Sequence, residues 1–382
     1  MSAARILRRS VRLWLSVAAL LIGGCGGSDA IKPAELVQFK PNATAKVVWH
    51  ASVGKADVYI FSPALVEGSV FAASASGSLV RLDGATGRQR WKVNTKQPLS
   101  GGVGADGGLV MVGTSKGAVL AYDLDGKPAW TTQVSSEVLM APNAADGIVV
   151  VRSGDGRIVG LDAKDGKLRW EYRFTLPPLL LWSNSGVVIT QGEVLAGLAG
   201  GKVVALKLTD GSLQWEATLA QAKGANELER ITDIAAAPDI DGDHACAVTF
   251  QGRVGCYDLT RGSLLWSRDA SSPVALTHDP ITVYMTDARS TVFALDKSTG
   301  ATVWKQDKLL ARQASAPVQT GLFVAVGDYQ GYVHFMDRDD GGFAVRVSTD
   351  GSAIKAKPQR LGSNILVQTR KGGLYVIAVK TM

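Results

Sequence analysis

A short pattern recurs along the whole chain and constrains its fold more than any other feature. In residues 156–170 it reads GRIVGLDAKDGKLRW. Its alternating apolar positions predict a strand, and Asp162 followed by Gly166 predicts a tight turn with positive φ at the glycine. The residues up to Trp170 then begin an antiparallel return strand. Related copies end at Trp91, Trp130, Trp215, Trp266 and Trp304, and a copy over residues 331–346 ends on Arg346 instead.

The spacing of the copies selects a β-propeller. Neighbouring repeat tryptophans, counted from Trp49, lie between 38 residues (Trp266 to Trp304) and 51 residues (Trp215 to Trp266) apart. A further pair of short apolar runs precedes each copy, so each period supplies four short strands. A period of about 40 residues with four strands is typical of a propeller blade, whereas helical repeats would show apolar stripes every 3.6 residues. The chain shows no such stripes.

The two chain ends predict how the propeller closes. Residues 47–49 look like the Trp-bearing outer strand of a unit whose first three strands are missing, and residues 357–380 supply strands with no closing Trp. Pairing them completes one blade and removes the open sheet edge. We therefore expect an all-β, eight-bladed propeller of four-stranded antiparallel blades over residues 47–382.

The first 24 residues are predicted to be a signal peptide. Arg5, Arg8, Arg9 and Arg12 precede an apolar run over residues 13–22, which as a helix spans only about 15 Å and is too short to cross a bilayer. The run ends in LLIGGC, which resembles the lipobox of bacterial lipoproteins. That resemblance implies cleavage before Cys25, acylation of Cys25 and sorting to the outer membrane. An ordinary secretory signal with an incidental cysteine is the alternative.

Two further expectations concern the mature chain. Residues 25–46, with their prolines and polar residues, are predicted to be a flexible tether. The net charge of +7 includes the four arginines of the leader, which leaves about +3 for the rest. Since no cluster of basic residues is interleaved with aromatic residues, we expect no nucleic-acid partner.

The repeat tryptophans and two cysteines are predicted to be structural. Each indole is expected to pack against the backbone near the turn glycine of a neighbouring blade; these residues are Trp49, Trp91, Trp130, Trp170, Trp215, Trp266 and Trp304. Cys246 and Cys256 flank one predicted hairpin. A turn centred on Gln251 would bring them to disulfide distance, and a slip of one residue would place them on opposite faces, so the pairing stays open.

Catalytic chemistry has no visible carrier in the sequence. The repeat resembles the tryptophan-docking motif of pyrroloquinoline-quinone (PQQ) enzymes, so a PQQ-dependent periplasmic dehydrogenase is the alternative function. Such enzymes use bound calcium, a catalytic Asp and usually a vicinal disulfide, but the cysteines here are Cys25, Cys246 and Cys256. Residues 239–243 (DIDGD) fit a hairpin turn better than a calcium loop, because the distal acid is missing. We expect no enzyme, cofactor or metal.

Two departures from the repeat flank one blade and point to added function. One is residues 174–182, FTLPPLLLW, which contain Leu179, Leu181 and Trp182. The other is the polar insert over residues 221–233, which ends with Arg230 and Asp233. Both connect an outer strand to the next inner strand, so both are expected on one face, where apolar anchors suit a protein partner. The alternatives are that the leucines are inner-strand core, and that Arg230 and Asp233 form a salt bridge.

The lipobox, the tether, the WHASVG start at Trp49, the eight blades and RITD at residues 230–233 together resemble the BamB family. Its members are propeller lipoproteins of the outer-membrane β-barrel assembly (BAM) machinery. The resemblance implies a non-catalytic scaffold that binds the periplasmic POTRA domains of BamA and helps outer-membrane proteins fold. The family interface uses a Leu-x-Leu-Arg loop and two aspartates. Leu179, Leu181 and Asp233 match, whereas Trp182 and Ala235 replace the Arg and the second Asp.

A third possible role, binding of peptidoglycan or nascent outer-membrane proteins, uses the same fold. The sequence therefore favours a lipid-anchored scaffold facing the periplasm of a Gram-negative bacterium, with BamA as the main expected partner.

Overall fold

The computed structural model describes residues 31–106, 108–181 and 185–382. The predicted signal peptide, Cys25 and the first part of the predicted tether lie outside these residues. The body of the protein spans Ala34–Met382. Within the described part of the chain, no helix has both the length and the apolar character that crossing a membrane requires.

The described residues form eight antiparallel sheets of four strands each, as the repeat predicts. The first strands of blades 1–4 contact one another in order around the central axis, and so do those of blades 5–8. Blades 1–4 consist of β2–β5 (Ala64–Val66, Ser69–Ala73, Ser78–Asp83, Gln89–Asn94), β6–β9 (Gly104–Asp106, Leu109–Gly113, Ala118–Asp123, Pro128–Gln133), β10–β13 (Asn143–Ala145, Ile148–Ser153, Arg157–Asp162, Leu168–Arg173) and β14–β17 (Val187–Thr190, Glu193–Leu198, Lys202–Lys207, Leu213–Thr218).

The other four blades follow the same order. Blades 5–7 consist of β18–β21 (Asp239–Asp241, His244–Val248, Gly252–Asp258, Ser263–Ala270), β22–β25 (Thr277–His278, Thr282–Thr286, Val292–Asp296, Thr302–Gln306) and β26–β29 (Val318–Thr320, Phe323–Gly327, Tyr332–Asp337, Phe343–Ser348). Blade 8 combines β30–β32 (Gln359–Leu361, Asn364–Gln368, Gly373–Thr381) with the N-terminal strand β1 (Ala43–Ser52).

The four-stranded topology gives the disc two distinct faces. The first turn of every blade and the third turn of blades 1–7 lie on one, which we call the turn face. The second turns and the connections between blades lie on the other, which we call the loop face. The apolar core lies between blades: Met111 and Val119 of blade 2, for example, pack in one cluster with Val149 and Val159 of blade 3.

The ring closes through the predicted pairing of the chain ends. Strand β1 pairs antiparallel with β32 from Ala43 opposite Thr381 to Ser52 opposite Gly373, with an irregularity between Val47 and Trp49. The strand therefore begins at Ala43, four residues before the expected boundary at 47. The reason is that β32 continues to Thr381 and offers its backbone to the earlier residues.

Each repeat tryptophan packs on a glycine of the following blade. The glycine has a positive φ, and a Cβ atom there would lie no more than 3.0 Å from an indole carbon, so no larger residue fits without displacing the ring. The pairs are Trp49 with Gly87, Trp91 with Gly126, Trp130 with Gly166, Trp170 with Gly211, Trp215 with Gly262, Trp266 with Gly300 and Trp304 with Gly341. These contacts join consecutive blades on the turn face.

The indole nitrogens complete this contact, with one exception. Trp170 Nε1, for example, donates to the Leu208 carbonyl at 2.8 Å, and the equivalent bonds of Trp49, Trp91, Trp130, Trp266 and Trp304 measure 2.6–2.9 Å. Trp215 Nε1 is buried and has no hydrogen-bond partner. The junction between blades 4 and 5 is thus held by packing without the hydrogen bond.

Blade 5 carries a disulfide. Cys246 of β19 lies directly opposite Cys256 of β20, and the structure joins the two sulfur atoms. The Cα atoms are 4.0 Å apart. The turn that links the strands includes Gln251, which has a positive φ of 50°. This is the register, of the two considered, that places both cysteines on one face.

Blade 7 buries an ionic cluster behind its outer strand. Asp328 accepts hydrogen bonds from Arg312 Nε and Nη2 at 2.9 and 2.7 Å, and its Oδ2 lies 3.0 Å from His334 Nε2. Arg346 Nε donates to His334 Nδ1 at 3.1 Å. Because an arginine can only donate, Nδ1 must be unprotonated and the imidazole neutral. Burial lowers the pKa of His334 below its usual 6.5, although Asp328 opposes the shift.

Replacing Trp170 or Trp215 by Phe separates the packing of the indole from its hydrogen bond. Both variants lose part of the ring, but Trp170→Phe also leaves the Leu208 carbonyl without its donor. We expect Trp170→Phe to lower the free energy of unfolding by about 1 kcal/mol more than Trp215→Phe. Urea denaturation of both variants measures the difference, and equal losses would show that the hydrogen bond contributes nothing.

The lowered pKa of His334 predicts that the stability of the protein depends on pH. As pH falls below 6.5, the unfolded chain takes up a proton at residue 334 that the folded chain does not accept. The free energy of unfolding should then fall by up to about 1.4 kcal/mol per pH unit until the lower folded-state pKa is reached. His334→Gln keeps both a donor and an acceptor but does not titrate. Denaturation between pH 7 and about pH 5 should show the slope only in the wild type; parallel profiles would contradict this account.

Candidate partner-binding surface

The connection between blades 3 and 4 holds the apolar residues that depart from the repeat. It follows β13, which ends at Arg173, and precedes β14, which begins at Val187. Leu179 is 38% exposed, and Leu181 is half-buried. Trp182 lies outside the described residues. Because the leucines precede the strand and are not buried, the alternative that they form inner-strand core is wrong.

The insert between blades 4 and 5 folds into a compact exposed turn. It connects β17 to β18, and residues 221–230 are all exposed. Asn226 Oδ1 accepts from the Glu229 amide at 3.0 Å, while Glu229 Oε2 accepts from the Ala225 amide at 2.8 Å. This reciprocal pairing orders the tip without a core of its own. Leu228 is left 67% exposed on it.

Arg230 points away from Asp233. Its Nη1 lies 3.4 Å from Glu227 Oε1, and its Nε donates to the Gly224 carbonyl at 3.1 Å. The guanidinium therefore links the two sides of the insert through Glu227 and Gly224. The alternative of a salt bridge between Arg230 and Asp233 is wrong. An exposed ion pair of this kind contributes at most about 1 kcal/mol to stability, so Arg230 remains available at the surface.

Asp233 is a buried residue that links two loops. Its side chain accepts from the Leu181 amide at 2.7 Å and from the Gly200 amide at 3.0 Å, and the residue is only 3% exposed. Gly200 belongs to the turn between β15 and β16. The carboxylate cannot contact a partner directly, contrary to the expectation from the sequence. It instead fixes the backbone at Leu181 against blade 4.

Arg152 stabilises the start of the connection between blades 3 and 4. This role was not predicted from the sequence. Its Nη1 donates to the Gly197 carbonyl at 2.5 Å, and its guanidinium lies over the Phe174 ring at 5.2 Å. Burial lowers the pKa of Arg152 to about 10, and the charge of Asp233 opposes the shift. The sequence signal that could have revealed this role is a basic residue that follows four apolar ones in the strand IVVVRS.

Leu181 also borders a central cavity of about 750 Å³. Aliphatic side chains form much of its wall, including those of Met140, Leu181, Val188 and Ala235, and basic residues of blade 8 and its approach stand beside them, namely Lys355, Lys357 and Arg360. Leu181 thus belongs both to the connection between blades 3 and 4 and to the wall of the cavity.

Acidic residues of a repeat turn and of residues 239–243 have structural partners. In the third turn of blade 3, Asp162 Oδ1 accepts from the Lys164 amide at 2.8 Å. Asp239 and Asp241 pair with Lys357 at 2.9 Å and Lys297 at 2.7 Å. Outside the gaps at 107 and 182–184, residues 31–382 contain no group of three His, Cys, Asp or Glu side chains that could hold a metal ion.

The chain is similar over nearly its full length to outer-membrane assembly factors. A family model described as outer membrane protein assembly factor BamB matches residues 33–98 and 75–306. A Burkholderia pseudomallei protein of that name is 41% identical over 363 residues, which cover 94% of this chain and 95% of the relative.

Solved structures agree with this similarity and show how widely the fold is shared. The crystal structure of BamB from Moraxella catarrhalis superposes with a TM-score of 0.82 at 25% identity, over 88% of this chain and 100% of that one. A quinohemoprotein alcohol dehydrogenase from Pseudomonas putida gives a TM-score of 0.70 at 14% identity, over 88% of this chain and 76% of the other. At that identity the second likeness concerns the fold alone.

Asp233→Ala should loosen the connection between blades 3 and 4 while the propeller stays folded. The change removes a charged acceptor from two buried amides, which costs about 1.5–3 kcal/mol for each such bond. Hydrogen exchange should rise at the Leu181 and Gly200 amides and stay unchanged in the blade strands. Asp243→Ala, in an exposed turn, is the control and should cost less than about 0.5 kcal/mol. Unchanged exchange at Leu181 would show that Asp233 does not position the loop.

Proposed function

Since the chain belongs to the BamB family of outer-membrane protein assembly factors, we propose that it is a non-catalytic scaffold subunit of the BAM complex, which folds and inserts β-barrel proteins into the outer membrane of a Gram-negative bacterium. It binds the POTRA domains of BamA through its loop face and thereby assists folding and insertion. Nascent outer-membrane proteins are a second class of partner that the central cavity could accept.

The observation that carries this proposal is the arrangement of the two loops that break the repeat. The carboxylate of Asp233 joins them by accepting the Leu181 amide. Leu179 is exposed two residues before Leu181, and the insert that contains Asp233 exposes Arg230 and other charged side chains. An apolar centre with a polar rim is the general form of a protein interface, in which few central residues supply most of the affinity.

The alternative of a quinoprotein dehydrogenase is not supported by the residues. Cys246 and Cys256 are paired across neighbouring strands and are ten positions apart, so they do not form a vicinal disulfide. The likeness to a quinohemoprotein alcohol dehydrogenase is a likeness of fold, and a shared fold does not transfer a reaction. The chain is an assembly factor and not an enzyme.

We further propose that Cys25 is acylated and holds the protein on the periplasmic side of the outer membrane. The leader with its basic start, short apolar run and LLIGGC end supports this anchor. Several acyl chains on one residue hold a protein firmly, whereas a single chain gives only reversible binding.

The combined substitution Leu181→Ala and Trp182→Ala should abolish co-purification with BamA. Apolar anchors at the centre of an interface cost about 2 kcal/mol or more each when truncated. The melting temperature should change by no more than a few degrees, because Leu181 is only half-buried. Leu213→Ala, which shortens an exposed leucine on an outer strand, is the control and should bind normally. Intact binding of the double variant would reject the site, and a collapsed melt would make these residues structural.

Cys25→Ser should release the protein from the membrane without unfolding it. No described strand includes residue 25, so the propeller should keep its melting temperature. Fractionation of cells that lack BamA measures the anchor by itself. Tight retention of the variant in the outer membrane of those cells would contradict acylation at this cysteine.

A further inference from the structure

The junction between blades 7 and 8 lacks the contact that joins the other blades. At the position of the repeat Trp, blade 7 has Arg346, which lies opposite His334 in the same register as Trp304 opposite Ala294. The reason is the ring closure. In blade 8, strand β32 ends near the C-terminus and β1 comes from the other end of the chain. No third turn connects them, so a Trp in blade 7 would have no glycine on which to pack.

The chain's own residues 34–42 occupy this place. The Ala34 amide donates to the Leu310 carbonyl at 2.8 Å, and the Asn42 amide donates to the Ala344 carbonyl at 3.2 Å. Between these ends, the Phe39 ring stacks on Phe343 with centroids 5.4 Å apart. The guanidinium of Arg346 covers Phe39 at 5.2 Å. We call residues 34–42 the N-terminal latch.

Two arginines bind the backbone of the latch. Arg312 Nη1 donates to the Ala34 carbonyl at 2.9 Å, and Arg346 Nη1 and Nη2 each lie 3.4 Å from the Val37 carbonyl. The buried cluster holds both guanidiniums in place, because Asp328 accepts two bonds from Arg312 and His334 accepts one from Arg346. Blade 7 and the connection before it therefore position both arginines, and the latch provides the backbone carbonyls that they bind.

The latch shortens the chain between the cysteine proposed to be acylated and the body of the protein. The expected tether covered residues 25–46, but the body of the protein begins at Ala34. Whatever their conformation, residues 25–33 cannot span more than roughly 30 Å. Ala34 contacts the connection that contains Leu310, on the loop face, and the latch then crosses blade 7 to Ala43 on the turn face.

We propose that the N-terminal latch turns the blade 7 edge of the propeller toward the lipid surface. This inference rests on the proposed acylation of Cys25. Blade 3 lies across the ring from blade 7 and faces away from the membrane. The loop that contains Leu179 and Leu181 follows blade 3, so the proposed partner-binding surface is held on the side that proteins in the periplasm can reach.

Two equivalent positions on opposite blades test the orientation. Ser348 and Arg173 are both exposed and both end an outer strand, paired with Tyr332 in blade 7 and Arg157 in blade 3. Ser348→Cys or Arg173→Cys gives one free thiol, because Cys25 is acylated and Cys246 is bonded to Cys256. Each protein is labelled with a donor dye and bound to vesicles that contain an acceptor-labelled phospholipid, and energy transfer is measured.

Energy transfer to the lipid should be higher from residue 348 than from residue 173. The difference should be lost when Phe39→Ala and Arg346→Gln are added, because these substitutions release the latch. Hydrogen exchange of residues 34–42 shows independently whether the latch is docked, and Phe39→Ala alone serves if the double variant unfolds. Equal transfer from both positions in the otherwise wild-type protein would overturn the proposal. Failure of the labelled protein to bind vesicles would instead reject acylation of Cys25, on which the proposal depends.

Discussion

The packing of an indole on a glycine of the next blade is the contact on which this propeller depends. A blade of short strands cannot bury both faces alone, so its stability comes from its neighbours. The contact needs a glycine with positive φ and no side chain, as Gly211 offers to Trp170. Where Trp215 lacks its hydrogen bond, the packing persists. The indole can therefore pack on bare backbone without the hydrogen bond that accompanies it at the other junctions.

The junction between blades 7 and 8 shows what happens where this contact cannot form. Because blade 8 is built from both chain ends, it has no third turn to receive a tryptophan. Arg346 replaces the indole and binds a carbonyl of the N-terminal latch. The charge of Arg346 is tolerated because its Nε donates to His334 Nδ1, and the other nitrogen of His334 lies against the Asp328 carboxylate. The exception to the repeat is thus a consequence of closing the ring.

The surface proposed to bind BamA depends on residues that lie behind it. The buried Asp233 holds the backbone at Leu181, and the half-buried Arg152 contacts Phe174 at the start of the same connection. The breaks in the period locate both loops in the sequence, but the expectation that Asp233 contacts a partner directly is wrong, because the residue is buried. A carboxylate in a long polar insert is usually exposed, and only its two amide donors, from distant segments, reveal that it is buried.

The sequence by itself determined the number of blades, the closure of the ring and the role of the tryptophans. Each blade repeats the same local pattern and contacts only its neighbours, so these features can be predicted from the repeat alone. It also located the hairpin of Cys246 and Cys256, although not their register. Only the tertiary structure decided that Asp233 is buried while Leu179 is exposed, that Arg230 pairs with Glu227, and that residues 34–42 lie on blade 7. Those contacts join segments far apart in the chain, and no periodicity records them.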